Sequence, residues 1–268
     1  MSEKNFDIYF EFNHSELNLA VFNKSNDKLE YYKEQTYESY FNNYKELNFK
    51  ALDRLIEENI IEIEKSTKEY IRDIYLIVQT PQSISLKLSV TKNNEGNKTT
   101  KEDAMYLVQD AKQQILKTNK EFGILHIIVE NYVLDDIQHK FLPIDQNCNK
   151  FSIDAKFICF PKDLLRNFEN LFLKQQIFIN RFICFNYIKT FNFVDNKKSI
   201  CELGKDIVNG KNKQEVVLIP KEPKKKGFFE RLLHFFKYRL YFLVTFLVFK
   251  QSKNNIIKLP CHLSAKKQ

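Results

Sequence analysis

The order in which the apolar period changes along this chain constrains its fold more than any single residue does. FDIYFEF (6–12) and LNLAVFN (17–23) read as two strands around a polar NHSE turn, and KLEYYKEQTY (28–37) as a third. The period then switches. Leu52, Leu55, Ile56, Ile60 and Ile63 recur at helical spacing between residues 48 and 70, which predicts an amphipathic helix with a charged outer face. IRDIYLIVQT (71–80) returns to a buried strand that ends at Pro81.

A second unit begins there. SISLKLSVT (83–91) alternates as a half-buried strand does, and NNEGNK (93–98) is a loop. Thr99 or Thr100 is placed to cap the next helix, TTKEDAMYLVQDAKQQILK, with Glu102 or Asp103 in its first turn. GILHIIVENYVLD (123–135) is a long strand with room for a kink, and KFSIDAKFICF (150–160) alternates as the next. Pro161 opens a helix, PKDLLRNFENLFLKQQ, with Leu164, Leu165, Phe168, Leu171 and Phe172 on one side. Strand, helix, strand, strand, helix in this order describes a small α+β domain set inside the chain. INRFICFNYI and ICELGKDIV…EVVLIP then read as short strands of the first domain resumed.

Charge divides the chain differently. Of its 42 Lys and Arg and 34 Asp and Glu, the residues from Lys211 onward hold 14 and three, which leaves 28 and 31 for the rest. The body is mildly acidic and the positive excess sits in the tail, beside Phe and Leu. That arrangement favours an anionic lipid surface over a nucleic acid, whose binding domains spread Lys and Arg across a folded face. The five cysteines (Cys148, Cys159, Cys184, Cys201, Cys261) form no C-x-x-C pair, so reduced thiols in a cytosolic protein are expected and no zinc site is. The start, MSEKNFDIYF, lacks the basic and apolar regions of a signal peptide.

The tail itself reads EPKKKGFFERLLHFFKYRLYFLVTFLVFK (222–250). On a helical wheel Phe228, Phe229, Leu232, Leu233, Phe235, Phe236 and Leu240 fall within about 160° of arc, with Glu230, Arg231, His234 and Lys237 opposite and Arg239 breaking the arc near its end. A spanning helix needs about 20 mostly apolar residues. The uncharged run LYFLVTFLVF (240–249) has only ten, so a helix lying on the membrane is favoured over one crossing it. Lys224, Lys225 and Lys226 add attraction to anionic lipid, each worth about 1 kcal/mol near such a surface. A core or partner-groove helix and a span are the competing readings.

From Asn48 to Cys184 the chain resembles the bacterial actin-like cell-division protein FtsA. ILHIIVENYVLDD (124–136) is similar to that family's ILHV-(I/L)-P-x-x-Y-x-(I/V)-D strand, and TTKEDAMYLVQDAKQ (99–113) to the helix ahead of it. KFSIDAKFICFPKDLLRNFENLFLKQQIFINRFIC (150–184) follows the family's strand, Asn-containing helix and short strand, and GFFERLLHFFKYR its membrane-targeting helix. The resemblance implies an α+β fold: an actin-like (ribonuclease H-like) subdomain 1A fragment over 1–81 and 166–220, with a 1C-like subdomain inserted at 82–165. A basic linker (221–226), a membrane-associating segment (227–250) and a basic tail (251–268) complete this division. By resemblance, 82–165 would bind division proteins or further copies of the chain.

The departures from the family bear on chemistry. Actin-like ATPases cradle phosphates with glycine-rich hairpins, because only glycine lets backbone N–H groups approach the oxygens closely. Here the first hairpin carries Glu11, Phe12, Asn13 and His14, and the five glycines (Gly96, Gly123, Gly204, Gly210, Gly227) are never adjacent. About 40 residues separate Cys184 from the tail, where the family has a whole second domain that includes the adenosine pocket and, by resemblance, the grip on FtsZ. The expectation is therefore no catalytic residue, no cofactor and no metal. The protein would be a non-catalytic adaptor on the cytoplasmic face of the inner membrane, at the division site. Its membrane-binding residues would be Lys224, Lys225, Lys226, Phe228, Phe229, Arg231, Leu232, Leu233, Phe235, Phe236, Lys237 and Arg239. Alternatives are a small nucleotide-dependent enzyme with an unrecognised site, or a nucleic-acid binder using the basic tail. His126, among apolar neighbours, reads as structural or surface-facing, Asp135 and Asp136 as a turn, and Glu11 with His14 as a strand end without a glycine cradle.

Overall fold

Three antiparallel strands start the chain, because a polar turn lies between two runs that are apolar on both faces. β1 (Phe6–Phe12) pairs with β2 (Glu16–Asn23) in a register that sets Glu11 opposite Asn18 and Tyr9 opposite Ala20, and β2 pairs with β3 (Leu29–Thr36). The computed structural model describes residues 5–14, 16–36, 41–42, 46–47, 49–191 and 198–217. Two-residue strands β4 (Phe41–Asn42) and β5 (Glu46–Leu47) pair with each other ahead of α1 (Phe49–Thr67). β6 (Asp73–Val78) then lies parallel to β1. A parallel neighbour needs a crossover, and α1 supplies it.

The predicted face of α1 is the buried one, with Leu52, Leu55, Ile56, Ile60 and Ile63 all in the core. Beyond β6 the chain leaves for a second sheet. It is made of β7 (Ile84–Asn93), β8 (Phe122–Leu134), β9 (Ile137–His139) and β10 (Lys150–Pro161), in the antiparallel order β7-β10-β8-β9. α2 (Lys101–Thr118) covers one face with Ala104, Leu107, Val108, Ala111 and Ile115. It starts as predicted, in a capping box: Thr100 accepts from the Asp103 amide while the Asp103 carboxylate accepts from the Thr100 amide. Such caps are worth about 1 kcal/mol. The opposite face of this sheet is hydroxylic and charged, with Ser89 bonded to Asp154 and Thr91 to Ser152. The kink expected in the long strand is present as two register shifts between β8 and β10, at Asp154/Ala155 and Ile158/Cys159.

α3 (Lys162–Lys174) returns the chain to the first sheet. Pro161 precedes its first residue, and Phe168 and Phe172 pack on Phe12 and Phe10 with ring centroids 5.5 and 5.2 Å apart. Burying such a side chain stabilises by about 2–3 kcal/mol. Leu165 meanwhile reaches Gly123 of β8, where an added Cβ would lie 2.8 Å from its Cδ1, so α3 touches both sheets. β11 (Phe178–Cys184) completes the first sheet parallel to β6, in the order β11-β6-β1-β2-β3. An antiparallel meander extended by two parallel strands on the side of its first strand is the ribonuclease H-like sheet of an actin-like subdomain. The chain is an α+β fragment of that fold carrying an inserted α+β unit.

One expected strand is a helix, and another, INRFICFNYI, is a strand only as far as Cys184. Residues after Cys184 form α4 (Phe185–Phe191), and ICELGKDIV is α5 (Ile200–Val208). Short apolar runs are ambiguous in period. For α5 the deciding signal is a capping box, with Ser199 bonded to the Glu202 amide and Glu202 to the Ser199 amide. α5 lies over the Tyr9–Glu11 face of the first sheet, opposite α1 and α3. Gly204 makes this possible, because a Cβ there would sit 2.6 Å from Ile77 Cδ1 and 3.6 Å from Ile188 Cδ1.

Candidate functional site

The β1–β2 turn occupies the place of a phosphate hairpin in the resemblance, and Asn13 and Glu16 within it are bonded to each other. The Asn13 amide donates to the Glu16 carbonyl at 3.0 Å, and the Glu16 amide donates to Asn13 Oδ1 at 2.8 Å. Asn13 Nδ2 bonds Glu16 Oε2 at 3.1 Å and lies 3.5 Å from Glu11 Oε1. A triphosphate needs open amides and a positive field, whereas the Asn13 and Glu16 amides are bonded and the Glu11 and Glu16 carboxyl groups lie beside Asn13.

Glu11 is also sealed from above. It is 2% exposed, and Cys201 of α5 places Sγ 3.8 Å from its Oε2. Burial pushes its pKa above the ordinary carboxyl value, against the pull of hydrogen bonds from Asn18, Asn13 and Cys201. Burial and the neighbouring Glu11 likewise hold the Cys201 thiol well above the ordinary thiol range, so it is not a reactive thiolate. Tyr9 and Asn18 belong to the same buried face, and each has an oxygen without a hydrogen-bond partner there. His14, read with Glu11 as an acid and base, is exposed where Glu11 is buried.

A second polar cluster joins the two sheets. His126 of β8 is fully buried, and its Nε2 accepts the Cys184 amide of β11 at 3.0 Å. That bond leaves the proton on Nδ1, which donates to Glu215 Oε1 at 2.7 Å. Arg181 of β11 bonds the same oxygen, Tyr187 of α4 donates to Oε2 at 3.2 Å, and Asn212 donates to the Tyr187 hydroxyl at 2.5 Å. The backbone around Glu215 runs along β8: Val129 donates to the Gln214 carbonyl at 2.9 Å and Val216 to that of Ile127 at 2.8 Å. Burial, only partly opposed by Glu215, lowers the His126 pKa. Burial raises that of Glu215, but its bonds to His126 and Tyr187 and the Arg181 charge outweigh this and leave it lowered. Both imidazole nitrogens and both carboxylate oxygens are engaged, so the cluster acts as a latch and offers no base to a substrate.

The sequence left His126 as structural or surface-facing; it is buried, and the sequence did not show its partners. Arg181, Tyr187, Asn212 and Glu215 are distant in the chain, and no local pattern marks them. Asp135 and Asp136 form the turn between β8 and β9, both with positive φ, and the Asp135 carboxylate accepts the Asn149 and Lys150 amides. Cys148, Cys159, Cys184 and Cys201 are unpaired and buried. Among the described residues no group of three His, Cys, Asp or Glu is placed to hold a metal, and no helix is long and apolar enough to cross a membrane. The residues expected to bind membrane, Lys224 to Arg239, and Cys261 lie outside the described residues.

No protein-family model matches the chain, and no curated protein matches it. Solved structures similar to it include the PilM–PilN type IV pilus biogenesis complex, at 9% identity and a TM-score of 0.45, covering 69% of this chain and 49% of that one. The cytoplasmic domain of EpsL, an inner-membrane component of the type II secretion system of Vibrio cholerae, is similar at 9% identity and TM-score 0.32, covering 68% and 57%. A Bacteroides thetaiotaomicron protein with an actin-like ATPase fold and unknown function is similar at 9% identity and TM-score 0.30, covering 70% and 56%. The chain spans about half the length of these structures.

Proposed function

We propose that this protein is a non-catalytic, membrane-associated adaptor on a reduced FtsA-like frame. The inserted subdomain meets protein partners or further copies of the chain, and the basic, Phe-rich tail meets anionic lipid at the inner leaflet. The observation that carries the non-catalytic part is the β1–β2 turn, where the Asn13 and Glu16 amides are bonded internally and Glu11 is buried under α5. About 40 residues separate Cys184 from the tail, where the resemblance would put the domain that completes a nucleotide cleft and grips FtsZ. The lipid-binding part rests on the concentration of positive charge beside an apolar helical face in 224–239.

Sedimentation with liposomes of graded anionic-lipid content tests the reading, comparing the full chain with one ending at Glu222. Binding that rises with anionic lipid and vanishes on truncation is the expected result. Equal binding by both chains, or micromolar ATP affinity in calorimetry, would overturn it. For the division-site component, a fluorescently tagged chain should gather at midcell.

A further inference from the structure

Among the described residues the outer edge of β7 is an open pairing surface. β7 is ten residues long and bonds β10 in continuous register from Ile84 to Asn93, without proline, glycine or bulge. Among the described residues β10 is its one ladder partner. The opposite edge of the same sheet is covered, since β9 pairs with β8 over Tyr132–Leu134 and Gln214–Val216 bonds it around Ile128. Exposed edges are commonly guarded by lysines that repel an incoming strand. Here both lysines of β7 are drawn back onto their own subunit, Lys87 to Glu130 of β8 at 2.7 Å and Lys92 to Asp103 of α2.

We infer that β7 pairs antiparallel with β7 of a second copy of this chain, joining two four-stranded sheets into one of about eight. This deepens the self-association proposed for the inserted subdomain and rests on that reading. The sequence of the edge is self-complementary. About a two-fold axis at Leu88, Leu86 meets Val90 on the α2 side, while Lys87 meets Ser89 and Ser85 meets Thr91 on the hydroxylic side. No residue pair sets like charges directly opposite each other, and apolar residues oppose apolar ones except where Ile84 meets Lys92. The half-buried Ile84, Leu86 and Leu88 lose their remaining water on pairing.

Light scattering on the full chain reads the outcome. The wild type should weigh twice the 32.1 kDa chain mass. Ser85 and Thr91 are exposed, so substitutions there leave the core untouched. S85K/T91K sets lysine against lysine twice and should run at the single-chain mass. S85K/T91E sets lysine against glutamate and should restore the doubled mass, which also shows that the fold accepts the altered edge. A wild type at single-chain mass throughout, or doubled mass retained by S85K/T91K, would overturn edge pairing. Liposome sedimentation of the same samples separates the two proposals, because a wild type at single-chain mass that still binds anionic vesicles sinks the pairing and leaves the adaptor reading intact.

Discussion

Glu215 Oε1 lies 2.7 Å from His126 Nδ1, across 89 residues of sequence and between two sheets. The carboxylate is 3% exposed and also bonds Arg181 and Tyr187, so it balances a partly buried guanidinium and two other donors. Removing one member of a buried charge pair leaves the other uncompensated, at a cost of about 3–5 kcal/mol. Arg181 keeps some contact with water, so Glu215→Ala should cost about 3 kcal/mol in urea unfolding at neutral pH. A loss under about 1 kcal/mol, the level of a surface pair, would mean the latch is not closed in solution.

His126 makes the same junction sensitive to acid. Its pKa is held below the ordinary 6.5 by burial first, with Glu215 pulling the other way. Below about pH 6.5 the unfolded chain therefore takes up a proton that the folded chain does not, so stability is lost as pH falls. The slope from this group is at most about 1.4 kcal/mol per pH unit. Glu215 adds a loss of the same sign at lower pH: its folded pKa is depressed below 4.5, and its stabilisation disappears as pH falls through the folded value. In His126→Gln, unfolding midpoints between pH 6.5 and 5 should vary less than in the wild type. An unchanged slope would show that His126 is not the group responsible.

Glu11 has the opposite sign. Burial raises its folded pKa above 4.5, so stability is lost as pH rises from the unfolded value through the folded one. Glutamine keeps the shape and removes the ionisation. Glu11→Gln should be more stable than the wild type at pH 7 and close to it at pH 4, a crossover that thermal unfolding at the two pH values would reveal. Destabilisation at neutral pH would mean that the carboxylate is ionised and serves a ligand or cation.

These sites also mark what the sequence made legible. The Thr100–Asp103 box and the α1 face were readable because their partners lie three or four residues apart, within reach of a local rule. The turn at Asp135 and Asp136 was readable for the same reason. α4 was not, since FICFNYI is apolar at both periods and only its packing against α5 and the sheet selects the helix. His126 read as non-catalytic, either structural or surface-facing, from its neighbours, but Glu215 and Arg181 are ordinary charged residues until β8 and β11 are brought side by side. The Glu11 hairpin was legible as lacking glycine. Its burial was hidden, because it depends on α5, which reads as a strand until its cap is seen.

The covering of that hairpin depends on one missing methyl. Gly204 lets α5 approach β6 so closely that a Cβ would stand 2.6 Å from Ile77 Cδ1, inside any real contact distance. Gly204→Ala gains up to about 1 kcal/mol of helix propensity, yet overpacking a filled core costs about 1–3 kcal/mol. The net expectation is a loss of about 1 kcal/mol. Ile77→Val removes the clashing Cδ1 and alone should cost about 1 kcal/mol through the space it leaves. Combined, the two changes compensate, so I77V/G204A should be more stable than the sum of the single losses predicts. Urea unfolding of the four proteins measures this coupling. Strict additivity would mean that α5 does not rest on Ile77, and the burial of Glu11 beneath it would lose its support.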